Sequence, residues 1–183
     1  MVTAMQTITA VLALIAGIGA VALLIAAAIG PRSEATAQMA RWVLQRRAAF
    51  TFAVALVSTL GSLYFSEIAD YVPCRLCWFQ RVFMYPIAVV ALVGLIRRDA
   101  AARWYSASLA VLGAAVSTYH YLIESGVLPD SETCALFGPP CSEVWFKSFG
   151  FVSLAFMALC GFVAIVVLNL LPLARFEPLQ ETS

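Results

Sequence analysis

Apolar residues run along this chain in long unbroken blocks, separated by short clusters of charge, Pro or Gly. A bilayer core of ~30 Å takes about 20 helical residues to cross, and five blocks suit that length. The first extends from Met5 to Ile29 with no charged residue before Arg32, the second from Ala48 to Ser66, the fourth from Trp104 to Ile123, and the fifth from Phe149 to Leu171. The third is shorter, because its uncharged stretch from Val82 to Ile96 covers only about 22 Å at ~1.5 Å per residue. That helix is therefore expected to begin earlier and to take in Trp78, Phe79 and the charged Arg81. The pattern predicts an all-α integral membrane protein. Between the first two blocks, Met39, Trp42 and Val43 recur at helical spacing beside Arg41, Arg46 and Arg47, which suits either a short amphipathic helix on the membrane surface or a plain basic connector.

Composition agrees with lipid rather than water as the solvent. Hydrophobic residues make up 63% and charged residues 11%, against about 45–50% and about 25% in soluble domains. A soluble enzyme is excluded. The net charge of +1 offers no summed field for nucleic acid. Basic residues do fix an orientation, since Lys and Arg are retained on the cytoplasmic side. Arg32, Arg41, Arg46, Arg47, Arg97, Arg98, Arg103 and Arg175 fall on one side, and only Arg75, Arg81 and Lys147 on the other. The N-terminus and the loops 67–81 and 124–147 are expected outside, and the C-terminus inside. A cleaved signal peptide is the alternative for the first block, but it would enter with a basic N-terminus inside. No Lys or Arg precedes Arg32, so an uncleaved helix is expected.

Cysteine placement carries the chemistry. Cys74 and Cys77 form a C-x-x-C in the first outer loop, Cys134 and Cys141 lie in the second, and Cys160 sits alone inside the fifth block. An exterior compartment lets disulfides persist, and a ring as small as C-x-x-C adds little as a staple, so exchange is the expected use. Pro73 is suited to the first turn of a helix. Cys74 and Cys77 would then occupy an opening turn, where unpaired N–H groups and the macrodipole stabilise a thiolate. Arg81, four residues after Cys77, shares its helical face. An Arg at that depth needs a partner and is a functional candidate, with interfacial snorkelling as the alternative.

The string "PCRLCWFQR" and the helix "VFMYPIAVVALVGLI", followed by "STYHYLIESG" and "CSEVWFKSFGFVSLAFMALCGF", resemble the DsbB family of membrane disulfide-forming quinone reductases, specifically its BdbC-like branch. The likeness spans roughly Ala48 to Leu171. It implies a four-helix transmembrane bundle (residues 48–173) preceded by one extra transmembrane helix (1–30) and a basic linker (31–47), with a cytoplasmic tail (174–183), in a bacterial cytoplasmic membrane. It also implies disulfide generation with electrons passed to a bound quinone, ubiquinone or menaquinone, from a DsbA-like thioredoxin-fold thiol oxidase. On this analogy Cys134 receives the partner's attack, Cys141 exchanges with Cys74, and Cys77 reduces the quinone, with Arg81, His120 and Trp78 holding it. No resident metal is expected.

Some positions admit a plainer role. His120 beside Tyr119 and Tyr121 also suits an aromatic interfacial belt. Trp78 suits an interfacial anchor, Glu124 a solvated helix end, and Cys160 an inert core thiol. Cys134 and Cys141 are closer in sequence than in the enterobacterial type, which bears on how far Cys141 travels to meet Cys74. Competing readings are a vitamin K epoxide reductase homologue, whose loop pair precedes the C-x-x-C, a structural four-Cys zinc site, a scaffold with static disulfides, and a reductive relay. The last would need a thiol or cofactor on the inner side.

Overall fold

A computed structural model describes residues 1–30, 33–130 and 139–176. Six helices follow in order: α1 Val2–Ile29, α2 Glu34–Gln45, α3 Arg47–Glu67, α4 Arg75–Arg97, α5 Ala102–Glu124 and α6 Leu154–Leu170, then a short 3-10 turn Leu173–Phe176. α1, α3, α4 and α5 are each long and apolar enough to cross a membrane. α6 has 17 residues, which places it at the lower end of the spanning range of about 17–25. The all-α membrane class and the early start of the third spanning helix are as the apolar pattern predicts.

α3 to α6 close a ring in which each helix touches the next and α6 returns to α3. Its centre is filled by Ala55, Met84, Ile87, Ala110, Phe162 and Ile165. Without a hydrophobic drive between helices in lipid, close approach at small residues and buried hydrogen bonds hold such a ring. The Phe162 ring occupies the space that a side chain at Gly113 would need. Asn169 of α6 donates 2.8 Å hydrogen bonds to Thr51 Oγ1 of α3 and to its own Ile165 carbonyl, so a buried amide bridges two helices.

α1 packs along α6 outside the ring. Gly17 lets Cys160 of α6 approach so closely that an added Cβ would stand 3.0 Å from its sulfur. The start of α1 is tied to the loop between α3 and α4 by Gln6, which donates to the Tyr71 hydroxyl at 2.7 Å. At the other end α2 is a helix rather than a connector. It buries Ala37, Ala40 and Leu44 against Phe176 and the end of α1, while Met39 and Trp42 point outward. Arg41 donates to the Phe176 carbonyl and pairs with Glu34 at 2.6 Å.

Two boundaries differ from the sequence reading. Pro73 lies before the helix, and Cys74 is its N-cap, accepting the Cys77 N–H at 3.3 Å. The cap sulfur satisfies one of the first-turn donors, a task usually done by an oxygen. α6 begins at Leu154 instead of Phe149, because Phe149 and Gly150 take positive φ of 55° and 82° in a turn closed by Ser148 and Val152. Ser153 then caps α6, accepting from the Phe156 N–H at 3.3 Å.

Candidate active site

The chemistry gathers where the start of α4 and the end of α5 meet the loop between α5 and α6. Cys74 as N-cap and Cys77 at the third helical position place their sulfurs 2.9 Å apart. Cys74 is buried and Cys77 half-buried. The Cys74 thiol is held protonated well above its ordinary range, first by its contact with Cys77 and next by burial, while His120 pulls the other way.

His120 comes from the last turn of α5. Its Nε2 lies 3.6 Å from Cys74 Sγ and 3.7 Å from Glu124 Oε1, and its Nδ1 lies 3.3 Å from Gln80 Nε2. The ring also touches the backbone of Cys141. Both side chains are almost closed off from the surface, at 2% for His120 and 4% for Glu124. Ser153 donates to the other Glu124 oxygen, Oε2. Glu124 is therefore no solvated helix end. It is an interior carboxylate shared between an imidazole one turn back and the cap of α6. The i, i+4 spacing of His120 and Glu124 is visible in the sequence, but Ser153 reaches it from 29 residues away.

Cys141 is fully buried in one cluster with Cys74, Leu76 and Ile123. The loop between α5 and α6 thus brings a cysteine to the dithiol at the start of α4. Cys134 lies outside the described residues. Asp130 holds the loop beside Cys141, accepting from the Ser142 N–H and hydroxyl at 3.0 Å each. Cys160 is in mid-α6 against α1, apart from the loop thiols.

On its other side Cys77 faces a groove of about 780 Å3 between α1, α3, α4 and α6. Its walls are almost wholly apolar, running from Leu23 and Ala26 at one end to Tyr71 and Trp145 at the other. The polar atoms it presents near Cys77 belong to Gln80, Arg81, Ser62 and Tyr85. Arg81 is fixed by Ser62, donating from Nε to Oγ at 3.0 Å and from Nη2 to the carbonyl at 3.2 Å, and its guanidinium lies 5.0 Å over the Trp78 ring. Its depth is thus offset by a partner on α3, as an intramembrane cation requires. Trp78 and His120 do not line the groove. Trp78 is largely exposed and meets the groove's lining at Arg81. Tyr71 roofs the outer end, stacked between Phe65 at 5.8 Å and Trp145 at 4.9 Å.

A long apolar groove with a few convergent polar groups at one end is the general shape of a small-molecule site. Here it abuts an exchangeable dithiol at the head of a transmembrane helix, which defines the class: a helical membrane protein of thiol–disulfide chemistry. Residues 44–172 match the family model described as disulfide bond formation protein DsbB, and the chain belongs to this family. It is 40% identical over 130 residues to probable disulfide formation protein C 1 of Bacillus anthracis, covering 70% of this chain and 94% of that one. It is 37% identical over 132 residues to disulfide bond formation protein C of Bacillus subtilis (strain 168), covering 68% and 92%. A probable disulfide formation protein of Metapseudomonas resinovorans is 38% identical over 129 residues, covering 70% and 90%. No solved structure matches. α1 precedes the matched region.

Proposed function

We propose that the chain is a thiol:quinone oxidoreductase that generates disulfides, drawing electrons from a DsbA-like thioredoxin-fold partner on the outer face of a bacterial cytoplasmic membrane. The observation that carries this reading is the double exposure of Cys77. It lines both the small cavity beside Cys74, His120 and Glu124 and the apolar groove beside Arg81 and Gln80.

The chain's own residues then divide the work. A partner thiolate attacks Cys134 of a Cys134–Cys141 disulfide, and Cys141 leaves as a thiolate. Cys141, already packed beside Cys74, attacks the Cys74 sulfur of a Cys74–Cys77 disulfide. Cys77 leaves as a thiolate facing the groove, where the start of α4 and Arg81 stabilise negative charge. His120, against Cys74, holds a proton at that sulfur as it passes between thiol and disulfide, and Glu124 and Gln80 orient the ring. The groove fits a quinone on its lining, with apolar walls for an isoprenoid tail and Arg81, Gln80 and Tyr85 for ring oxygens. A bound quinone would accept the two electrons and two protons released when the partner dithiol becomes a disulfide. Orientation follows the basic residues, with the N-terminus and both redox loops outside. The unit 48–173 is the working bundle, with 1–30 as an added wall.

The test is acid-quenched thiol alkylation of the protein in its membranes, after a pulse of reduced thioredoxin-fold partner, with ubiquinone, menaquinone or neither. Loop cysteines that are oxidised with quinone and accumulate as thiols without it support the reading. Loop cysteines that remain oxidised under every condition make the disulfides static and the chain a scaffold.

A further inference from the structure

The small cavity at the dithiol contains more donors than thiol exchange uses. Cys74 Sγ, Cys77 Sγ and His120 Nε2 all lie within 4.8 Å of one another, and Glu124 Oε1 is 3.7 Å from the same nitrogen. The cavity they line, with Pro139, Pro140, Glu143 and Trp145 across it, has a volume of about 10 Å3. That is close to the ~10–15 Å3 that holds one water-sized body.

We propose that the reduced protein binds one Zn2+ ion, or another thiophilic divalent cation, through Cys74, Cys77, His120 and Glu124, and that this site exists only while the dithiol is reduced. Zinc is bound tetrahedrally at about 2.3 Å from sulfur and about 2.0–2.2 Å from nitrogen or oxygen. Those lengths require about 3.8 Å between two sulfurs, about 3.6 Å from sulfur to nitrogen and about 3.4 Å from nitrogen to oxygen. The structure provides 2.9, 3.6 and 3.7 Å. Two of these three edges lie within about 0.3 Å of the required length, and the sulfur pair opens by a turn of the half-buried Cys77 side chain. Glu124, outside the 4.8 Å cluster of the other three donors, swings toward the sulfurs to complete the set.

The surroundings serve a metal too. Gln80 faces Nδ1, which leaves Nε2 directed at the sulfurs. Its amide can present oxygen to an Nδ1–H, the outer partner that ligating histidines use to fix their tautomer. Ser153 engages Glu124 Oε2 and leaves Oε1 toward the imidazole. Binding displaces one proton from each thiol. A Cys74–Cys77 disulfide has no thiolate to offer, so oxidation ejects the ion, and an ion in place withholds both sulfurs from exchange. Zinc in the exterior compartment would arrest the chain in its reduced state.

The test uses the full chain in lipid nanodiscs, with Cys134→Ser and Cys141→Ser to remove the other loop thiols, titrated with ZnCl2 against a chromophoric chelator. The expected result is one Zn2+ per reduced chain and none after the Cys74–Cys77 pair is oxidised. Affinity should fall roughly tenfold or more in His120→Gln and in Glu124→Gln. Absence of binding by the reduced chain, or an affinity in either variant equal to that of the chain with His120 and Glu124 intact, overturns the proposal. Should those variants fold poorly, X-ray absorption at the zinc edge of the chain with His120 and Glu124 intact reads the donors directly. Two sulfurs with imidazole scattering support the site, and sulfur with solvent oxygen alone overturns it. No quinone enters the experiment, so its outcome is independent of the functional reading.

Discussion

The contact between Gly113 of α5 and Phe162 of α6 offers the sharpest test of the bundle that carries the site. A Cβ at Gly113 would stand 2.2 Å from Phe162 Cε1, 2.3 Å from Cζ and 2.7 Å from Cδ1. Carbon atoms pack at about 3.5–4.0 Å, so in Gly113→Ala the ring must retreat by more than about 1 Å. That movement disturbs the centre of the ring, because Phe162 is fully buried among Ala55, Met84, Ile87, Ala110 and Ile165. Overpacking of this kind costs about 1–3 kcal/mol, against a gain of about 1 kcal/mol from replacing a helical Gly by Ala. The expected net loss is up to about 2 kcal/mol. Unfolding in mixed micelles against a denaturing detergent measures it. Phe162→Leu in both backgrounds completes a double-mutant cycle, with an expected coupling of about 1 kcal/mol or more. His120 lies two turns further along α5, so the same substitution should also slow thiol exchange. A Gly113→Ala protein as stable as its parent, with no coupling to position 162, would refute the helix contact and the placement of His120 that depends on it.

Other outcomes follow from the site. Arg81→Lys keeps the charge but cannot span both Ser62 atoms, and the loss of a charged hydrogen bond, about 1.5–3 kcal/mol, should raise the quinone KM about tenfold or more; an unchanged KM leaves Arg81 as an anchor of α4 to α3. Because contact with Cys77 and burial hold the Cys74 thiol protonated, its alkylation by iodoacetamide should keep accelerating with rising pH beyond the ordinary thiol range near ~8.5. His120→Ala removes the opposing pull and should slow that alkylation further; an unchanged rate, read by mass spectrometry of the Cys74 peptide, would show that the His contact is absent. Cys77→Ser should abolish quinone reduction with the chain still inserted, whereas Cys160→Ala should leave activity intact, and an essential Cys160 would mean that the loop thiols are not the whole relay.

The spanning helices are legible because hydropathy is a local quantity, and Pro73 with the C-x-x-C announces where α4 starts. The start of α6 is hidden in "FGFVSLAF", where every residue but Gly150 and Ser153 is apolar and only the backbone angles at Phe149 and Gly150 separate turn from helix. In α2 the eye follows the large residues Met39 and Trp42, yet the helix packs by its small face, Ala37 and Ala40, because room rather than hydrophobicity decides its contact with α1. The dithiol and Arg81 are readable from spacing along one helix. The burial of Glu124, the approach of Cys141 to Cys74 and the Ser62 fork on Arg81 are not, since each joins elements 19 to 67 residues apart and depends on how the ring of helices closes.

α1 forms one wall of the groove, yet it stands outside the ring and is fastened mainly along α6 and at Tyr71. Its approach to α3 is light, with the methyl of Thr9 near Gly61. A molecule dissolved in the bilayer therefore need not pass the aqueous mouth at all. The seam between α1 and α3 offers it a sideways route, and an occupant's stay would then depend on how readily those two helices part. Turnover would then respond to lateral pressure and lipid thickness, as a hinged door responds to the wind, even where no reacting atom has changed.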